Sequence, residues 1–286
     1  MTSLSAPRVL VFDSGVGGLS VAACIRRQLP AAELLYLADN AGFPYGDQPE
    51  PVVIERCCRL IAEALTLYPC DVIVVACNTA STVVLPHLRA MAPVPVVGVV
   101  PAIKPAAAET RNGRIGLLAT PATIRRPYLD RLVNEFAGHC QVERIGHPDL
   151  VRWVEESVGG APVPQAALAE AVAGFARADV DTVVLGCTHY PLLLENLRAA
   201  LPAVRFWIDS GDAIARRVHQ LLADQGRADA AVSGNQRPGA PVRVALFSGP
   251  APSGLARYMA GLDLEPGAIR DNWSGGAARA TATASA

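Results

Sequence analysis

Residues 71–82, DVIVVACNTAST, decide the fold. After Asp71 come four consecutive β-branched residues, a run apolar on both faces, which suits a strand inside a parallel sheet covered by helices. At Cys77 the composition switches to small hydroxylated and polar residues, as where a strand's carboxyl end feeds a helix N-terminus. The same device returns at residues 181–191, DTVVLGCTHYP. Writing DVIVVACNTASTVVLPHLRA (71–90) over DTVVLGCTHYPLLLENLRA (181–199) aligns the Asp, the strand, the cysteine and, with one gap, Leu-Arg-Ala. A second pair, VFDSGVG (11–17) and WIDSGDA (207–213), sets Asp-Ser-Gly just after a strand each time. An offset of about 110 residues implies two similar lobes, each carrying a cysteine where a strand meets a loop. Ligands of open α/β sheets bind outside the carboxyl ends of the strands, so a cleft between facing lobes would set both cysteines across one ligand.

The rest of the chain repeats this alternation. β-Branched runs at residues 8–12, 71–76, 94–100, 114–119, 181–186 and 204–208 alternate with amphipathic stretches at 19–29, 52–68, 123–136, 165–178 and 212–225. The fold class is therefore α/β, doubly wound, with parallel sheets and the site in the cleft between two pseudo-symmetric lobes. Residues 226–241, rich in Gly, Ala, Asn and Pro, read as a loop, and the tail 274–286 is too small and polar to bury anything, so it reads as disordered.

Composition narrows the function classes. The chain has 286 residues, 51% of them hydrophobic, enough for two cores. Lys and Arg number 25 against 26 Asp and Glu, which leaves no basic surplus for a phosphate backbone and argues against nucleic acid as a partner. No apolar stretch approaches the ~18 to 20 residues of a membrane span, and the N-terminus does not read as a signal peptide. The expectation is a soluble, cytoplasmic protein. Its seven cysteines are an odd number, none in a CxxC pair or at metal-ligand spacing from a histidine, so they read as thiols with no metal site. Cys24, Cys57, Cys58, Cys70 and Cys140 read as small core residues.

Cys77 and Cys187 ask for more. Inverting a carbon stereocentre means taking a proton from one face and returning one to the other, which one fixed base cannot do. Two bases at near-attack distances of ~3 to 3.5 Å place the sulfurs roughly 7 Å apart around the carbon, whereas a disulfide needs about 2 Å. A free thiol is only a few per cent ionised at neutral pH, a handicap of ~2 kcal/mol that helix N-termini after each cysteine (79–89 and 191–200) would offset. Asn78, Thr79, Thr188 and backbone N–H groups are donors for the charge that develops beside a carboxylate. His189 and Asp13 are natural relays for the thiol protons. DSGVGG at residues 13–18 lacks the lysine of a P-loop, and His87, His139, His147 and His219 read as scattered surface or satisfied histidines. A pyridoxal-phosphate enzyme would need a Schiff-base lysine, and the one lysine, Lys104, lies among prolines far from both cysteines. A two-lobed binding protein would have no use for thiols on both sides, and a dithiol redox protein would need the sulfurs to meet.

FDSGVGGLS (12–20), FPYG (43–46), ACNTAS (76–81), GLLAT (116–120), GCTHYPLL (186–193) and DSGDAIARRV (209–218) occur in the order found in the glutamate racemases, and the chain resembles that family over residues 9–264. The resemblance implies two-base racemisation of L- and D-glutamate with no cofactor and no metal, supplying D-glutamate for peptidoglycan. It implies that Cys77 deprotonates D-glutamate and Cys187 L-glutamate, assisted by Asp13 and His189 respectively. It carries substrate binding onto Ser14, Pro44, Tyr45, Gly46, Asn78, Thr79, Thr120, Thr123 and Thr188, and an auxiliary acidic role onto Asp39 and Glu155. It assigns residues 1–97 plus 207–270 to one lobe, with Asp13 and Cys77, and 98–206 to the other, with Cys187 and His189. As partners it admits a peptidoglycan-precursor activator and a homodimer. Three departures stand out. Gly42 occupies a place where many members carry a larger residue, which suggests a wider cleft rim. Pro121 and Ala122 separate the two threonines of LLATPAT, which puts that loop's conformation in question. IGHPDLVRWVEE (145–156) diverges most, and with it the placement of Glu155.

Overall fold

The computed structural model describes residues 6–232 and 240–274. Along them run β1 (Arg8–Asp13), α1 (Leu19–Gln28), β2 (Glu33–Ala38), α2 (Glu50–Leu67), β3 (Val72–Val75), α3 (Asn78–Met91), β4 (Val96–Gly98), α4 (Ile103–Glu109), β5 (Arg114–Ala119), α5 (Pro121–Ile124) and α6 (Pro127–Ala137). They continue as β6 (Gln141–Gly146), α7 (Asp149–Val158), α8 (Gln165–Arg177), β7 (Thr182–Leu185), α9 (Leu194–Ala200), β8 (Phe206–Ile208), α10 (Gly211–Asp224), α11 (Ala228–Val232), β9 (Val242–Phe247), α12 (Leu255–Ala260) and β10 (Ile269–Arg270). Every paired strand is parallel, in a six-stranded sheet of order β10-β9-β2-β1-β3-β4 and a four-stranded sheet of order β6-β5-β7-β8.

Four strands of the larger sheet, β2-β1-β3-β4, repeat the order of the smaller one. Arg8 and Arg114, Glu33 and Gln141, Val72 and Thr182, and Val96 and Phe206 open equivalent strands, so the offset holds between 106 and 110 residues. The aspartates that head the repeat turn out to tie strand starts together. Asp71 accepts from the backbone N–H of Arg8 at 2.7 Å. Asp181 accepts from Thr110 Oγ1 at 2.6 Å, Arg111 N at 2.7 Å, Asn112 N at 3.0 Å and Thr182 Oγ1 at 2.8 Å.

The second pair of the repeat is corrected. Residues 11–17 end β1, but 207–213 end β8, whose equivalent is β4. The two Asp-Ser-Gly segments look alike because each aspartate accepts from the N–H two residues on, Asp13 from Gly15 at 3.2 Å and Asp209 from Gly211 at 2.6 Å. That is a local Asx turn and needs no common ancestry of position. Residues 226–241 are not all loop, since α11 lies among them, and 233–239 fall outside the described residues. The tail expected from 274 onward lies, but for Ser274, outside them too. The expected lobe boundaries near 97 and 207 fall inside the edge strands β4 and β8. After β4 the chain enters α4, which packs on α6, and after β8 it enters α10, which packs on α1. The Ser210 hydroxyl donates to the Val100 carbonyl and so joins the two crossing segments.

β3 and β7 are buried along their whole length, as the apolar-on-both-faces pattern requires. One face of the larger sheet (Leu10, Phe12, Ile73, Val75) packs on α2 and α3, and one face of the smaller (Ile115, Leu117, Val184) on α4 and α6. The remaining faces share one continuous cluster, in which Val9, Val11 and Val74 of the first sheet join Val183 of the second and Val154 and Phe175 of the helices α7 and α8 that follow its strands. At about 1.5 to 3 kcal/mol for each large side chain buried, this shared cluster holds the two lobes to one another. Among the described residues no helix is long and apolar enough to cross a membrane.

Burial works against the charge of Asp181, yet its four hydrogen bonds outweigh it and hold the carboxyl below the usual carboxylate range. A group with a lowered folded pKa contributes stability above its unfolded value of ~3.9, and loses it as pH falls through the folded value. Asp181→Asn should therefore cost about 1 to 3 kcal/mol at pH 7, with the gap to wild type narrowing below pH ~4. Urea unfolding across that range checks it; a gap constant from pH 7 to 3 would assign the effect to shape and not to charge.

Candidate active site

Cys77 follows β3 and is the N-cap residue of α3. Its Sγ accepts from Ala80 N at 3.5 Å and lies 3.7 Å from Ser14 Oγ. Burial pushes the Cys77 thiol well above its ordinary range, and the charge of Asp13 adds to this, while the Ala80 N–H and Ser14 hydroxyl oppose it. The expected helix N-terminus is thus present and aimed at this sulfur.

Cys187 is held differently. β7 ends at Leu185, and the residues after Cys187 form a 3-10 turn, Tyr190–Leu193, before α9 begins at Leu194. The expected helix N-terminus at 191 therefore gives way to that turn, a frequent lead-in to an α-helix, and the α-helix itself starts only at Leu194. The helix dipole is displaced from Cys187, and a histidine stands in its place. His189 Nδ1 lies 3.7 Å from Cys187 Sγ, and its Nε2 lies 2.8 Å from Glu155 Oε1. Burial of His189 disfavours the imidazolium, but the contacts with Cys187 and Glu155 outweigh it and hold the ring well above its ordinary range.

The supports cross between lobes. Glu155 Oε1 also accepts from Val16 N at 2.7 Å, Thr188 Oγ1 donates to Asp13 Oδ1 at 3.3 Å, and Ser20 Oγ donates to the Thr188 carbonyl at 2.7 Å. Asp13 is fully buried, and burial lifts its carboxyl to about 6, against the lowering effect of His189. The glycines of DSGVGG make room for these crossings. A Cβ on Gly15 would sit 2.0 Å from Glu155 Oε1, and one on Gly17 would sit 2.2 Å from His189 Nδ1 and 2.6 Å from Thr188 Oγ1.

One pocket collects Cys77, Cys187, Ser14, Pro44, Tyr45, Gly46, Asn78, Thr79, Thr120, Thr188 and His189. Asp13, Asp39, Glu155 and Thr123 stand behind this wall. Thr123 meets Thr120, whose Oγ1 lies 3.0 Å from its own Oγ1. Asp39 accepts from Tyr45 Oη at 2.6 Å and from Arg56 at 2.7 Å, so it fixes a wall residue from outside. Burial of Asp39 is outweighed by these bonds and by Ser248, which together hold its carboxyl low. Among the described residues no hydrogen bond joins Asp13 to Cys77; the groups at that sulfur are the Ser14 hydroxyl and the Ala80 N–H. Gly42 is buried against Arg56, Asp39 and Tyr45, which overturns the reading that it widens the rim. Pro121 takes the first position of α5 behind the capping Thr120, where its missing N–H and fixed φ cost nothing, so the loop is a regular helical turn.

Sequence reasoning missed Phe43, Asp47, Arg125, His147, Pro148 and Val151, which also line the pocket. His147 follows β6, whose QVERIG alternates polar and half-buried residues and so carries no β-branched run to announce a strand end.

The family model described as Asp/Glu/Hydantoin racemase matches residues 17–218. The glutamate racemase of Actinobacillus pleuropneumoniae serotype 3 is 48% identical over 219 residues, covering 76% of this chain and 83% of that protein. That of Shewanella loihica is 49% identical over 214 residues, covering 75% and 80%. Among solved structures, Escherichia coli glutamate racemase in complex with L-glutamate and the activator UDP-MurNAc-Ala superposes with a TM-score of 0.83 at 42% identity, covering 93% of this chain and 98% of that one. Glutamate racemase from Thermus thermophilus, in complex with β-chloro-D-alanine, gives 0.71 at 32% identity, covering 93% and 96%. Two lobes with equivalent strand order, a cysteine at the equivalent strand end of each and this degree of identity lead to one conclusion: the chain belongs to the Asp/Glu/hydantoin racemase family, among its glutamate racemases.

Proposed function

We propose that the protein interconverts L- and D-glutamate by proton transfer between Cys77 and Cys187, and so supplies D-glutamate for peptidoglycan. The observation that carries this is the meeting of two sulfurs, from equivalent strand ends of two lobes, in one pocket. In the direction from L-glutamate, Cys187 is the base. A doubly protonated His189 donates from Nε2 to Glu155 and is placed to donate from Nδ1 to the Cys187 sulfur as thiolate. Cys77, kept as a thiol by burial, returns a proton to the opposite face. In the other direction the roles reverse, with the Ala80 N–H and Ser14 hydroxyl beside the Cys77 thiolate and Asp13 as its assistant.

The pocket fits an amino acid in a further respect. Asn78 Oδ1 is buried and has no hydrogen-bond partner among the described residues. Such an orphan acceptor is costly and calls for an occupant, and an α-ammonium group supplies the donor it lacks. Thr79, Thr120 and Thr188 remain to donate to the α-carboxylate, where charge gathers as the carbon is deprotonated. We place the enzyme in the cytoplasm, where seven free thiols persist. A peptidoglycan precursor as activator is part of the same reading, supported by the E. coli structure that contains one.

The direct test is the circular-dichroism signal of L-glutamate with the purified protein under reducing conditions, without and with a UDP-MurNAc-peptide precursor. Decay to zero supports the proposal, and a flat trace in both settings overturns it. Cys77→Ala and Cys187→Ala should each abolish racemisation, while α-proton exchange with deuterium oxide survives from one enantiomer, a different one in each variant. Full racemisation by either variant would defeat the two-base scheme. His189→Asn should lower the maximal rate from L-glutamate more than that from D-glutamate; equal losses would count against a one-sided role. Gly17→Ala forces His189 and Thr188 aside and should reduce kcat/KM about 100-fold with the fold retained, since misplacing catalytic groups by ~1 Å is enough for that loss. Wild-type kinetics in this variant would show the close approach to be unimportant.

A further inference from the structure

Tyr36 lies in the middle of β2, beside Val11 of β1, and is buried. Its hydroxyl donates to the Gly15 carbonyl at 2.6 Å. A buried tyrosine needs some acceptor, and many backbone carbonyls would serve. What sets this one apart is the other end of the same peptide. The N–H of the Gly15–Val16 peptide, on Val16, donates to Glu155 Oε1 at 2.7 Å. A trans peptide is planar with its C=O and N–H pointing in opposite directions, so a bond that fixes one fixes the other.

From there the contacts continue to the chemistry. Glu155 Oε1 lies 2.8 Å from His189 Nε2, and His189 Nδ1 lies 3.7 Å from Cys187 Sγ. One line of contacts therefore runs from a hydroxyl in the core of the first lobe, through a single peptide, to the sulfur of the second. A donor on a carbonyl strengthens the N–H across the same amide, by ~10 to 30%. The Val16 N–H thereby holds the Glu155 oxygen more firmly, and a carboxylate so held faces the imidazolium that Cys187 needs as its donor. Burial drives the Tyr36 phenol well above its ordinary range, and Asp13, Glu155 and Cys77 add to this, so the hydroxyl keeps its proton and stays a donor. The titratable groups that face the Glu155 and His189 pair are Asp13 at the end of β1, Cys187 after β7, Tyr258 of α12 and Tyr36 itself.

The turn leaves space for this hydroxyl. A Cβ on Gly18 would sit 3.1 Å from Tyr36 Oη and 2.7 Å from Asp13 Cβ. Among the described residues the second lobe has no counterpart. Matched from the first residues of equivalent strands, Tyr36 of β2 corresponds to Arg144 of β6, and Gly15 and Val16 after β1 correspond to Pro121 and Ala122 after β5. Arg144 pairs with Asp130 instead, and Pro121 opens α5. The line of contacts serves one sulfur, the one that the long helix α3 does not back.

We propose that Tyr36 is a positioning residue of the reaction, which sets the Gly15–Val16 peptide against Glu155 and so keeps His189 a proton donor to Cys187. This rests on the glutamate reading above. The test compares wild type, Tyr36→Phe, Glu155→Gln, the double variant and Phe247→Leu, which disturbs a ring packed 6.1 Å from that of Tyr36 and spares the hydroxyl. It reads glutamate kinetics in both directions and the proton–nitrogen NMR of the labelled protein, with the His189 ring assigned through His189→Asn. Tyr36→Phe should lower kcat from L-glutamate about tenfold and kcat from D-glutamate by no more than ~3-fold, the scale of one lost hydrogen bond, with the KM values absorbing the difference. A histidine held high by its partners keeps its second proton to a higher pH, so in Tyr36→Phe the His189 ring should lose that proton about one pH unit earlier than in wild type. Added to Glu155→Gln, Tyr36→Phe should cost little more, and Phe247→Leu should leave the His189 titration in place. In wild type, whatever the folding of the variants, the Val16 amide proton should resonate downfield and follow the His189 titration. An unmoved His189 titration in Tyr36→Phe, the same shift in Phe247→Leu, equal kcat losses in both directions, losses that multiply on the Glu155→Gln background, or a Val16 amide indifferent to His189 would overturn the proposal. A wild type inactive on glutamate would overturn the functional reading instead, and the His189 titration would still decide Tyr36.

Discussion

The structure depends on one oxygen. Glu155 Oε1, from α7 of the second lobe, accepts at once from the backbone N–H of Val16 in the first lobe and from His189 of the second. Two bases can share one carbon only if the surfaces that carry them keep a fixed separation, and this oxygen pins the β1–α1 turn of one lobe to the histidine beside Cys187 in the other. Thr188 to Asp13 and Ser20 to the Thr188 carbonyl repeat the tie from the opposite side. The apolar cluster common to both sheets supplies the cohesion, but it is non-directional and would tolerate a slip that these bonds do not. The glycines at 15 and 17 then follow as a steric consequence, since any Cβ there would occupy the space these groups cross.

The scaffold is pseudo-symmetric and the chemistry on it is not. Equivalent strands deliver equivalent cysteines, yet Cys77 is backed by the first turn of a long helix, and Cys187 by an imidazole with its own carboxylate. A helix N-terminus offers a fixed partial charge that cannot release a proton. A histidine can, and its charge depends on the groups around it. One half of the site is therefore stabilised by geometry and the other by a titrating pair.

Much of this was legible in the chain before folding. Val72 to Val75 and Thr182 to Leu185 are buried on both faces, so their apolar runs announced them, and the Asp that heads each was visible as a repeat although its tying role was not. β2, β6 and β9 escaped for different reasons. The first sits between stronger signals, β6 is a half-exposed edge strand with polar alternation, and β9 returns to the larger sheet after residues the repeat does not cover. At the site, residues at strand ends of the repeat were found because symmetry pointed to them. Arg125 and His147 were not, since a lone arginine and a lone histidine have no local pattern; only the position after β5 and β6 gives them meaning. The Asp-Ser-Gly likeness misled because an Asx turn is so common a way to leave a strand that its recurrence says nothing about equivalence.

Asymmetric devices must still serve a symmetric reaction. The two enantiomers have equal free energy in water, so the equilibrium constant is unity whatever the protein does, and the kcat/KM values of the two directions must match. If L-glutamate meets Cys187 as thiolate and Cys77 as thiol, release of D-glutamate leaves the sulfurs with those states exchanged. That exchanged form is the one D-glutamate requires. Binding L-glutamate again requires a proton to return from Cys187 to Cys77, through groups that can hold it between turnovers. Asp13, lifted to about 6 and bonded to Thr188 beside Cys187, lies on the lobe that carries Ser14 and Cys77. A carboxyl tuned so close to neutral pH changes protonation at little cost, and this one stands between the two halves of the site, bonded to the residue after Cys187. The burial of Asp13, destabilising for an isolated charge, then becomes intelligible as what brings its proton affinity into the working range.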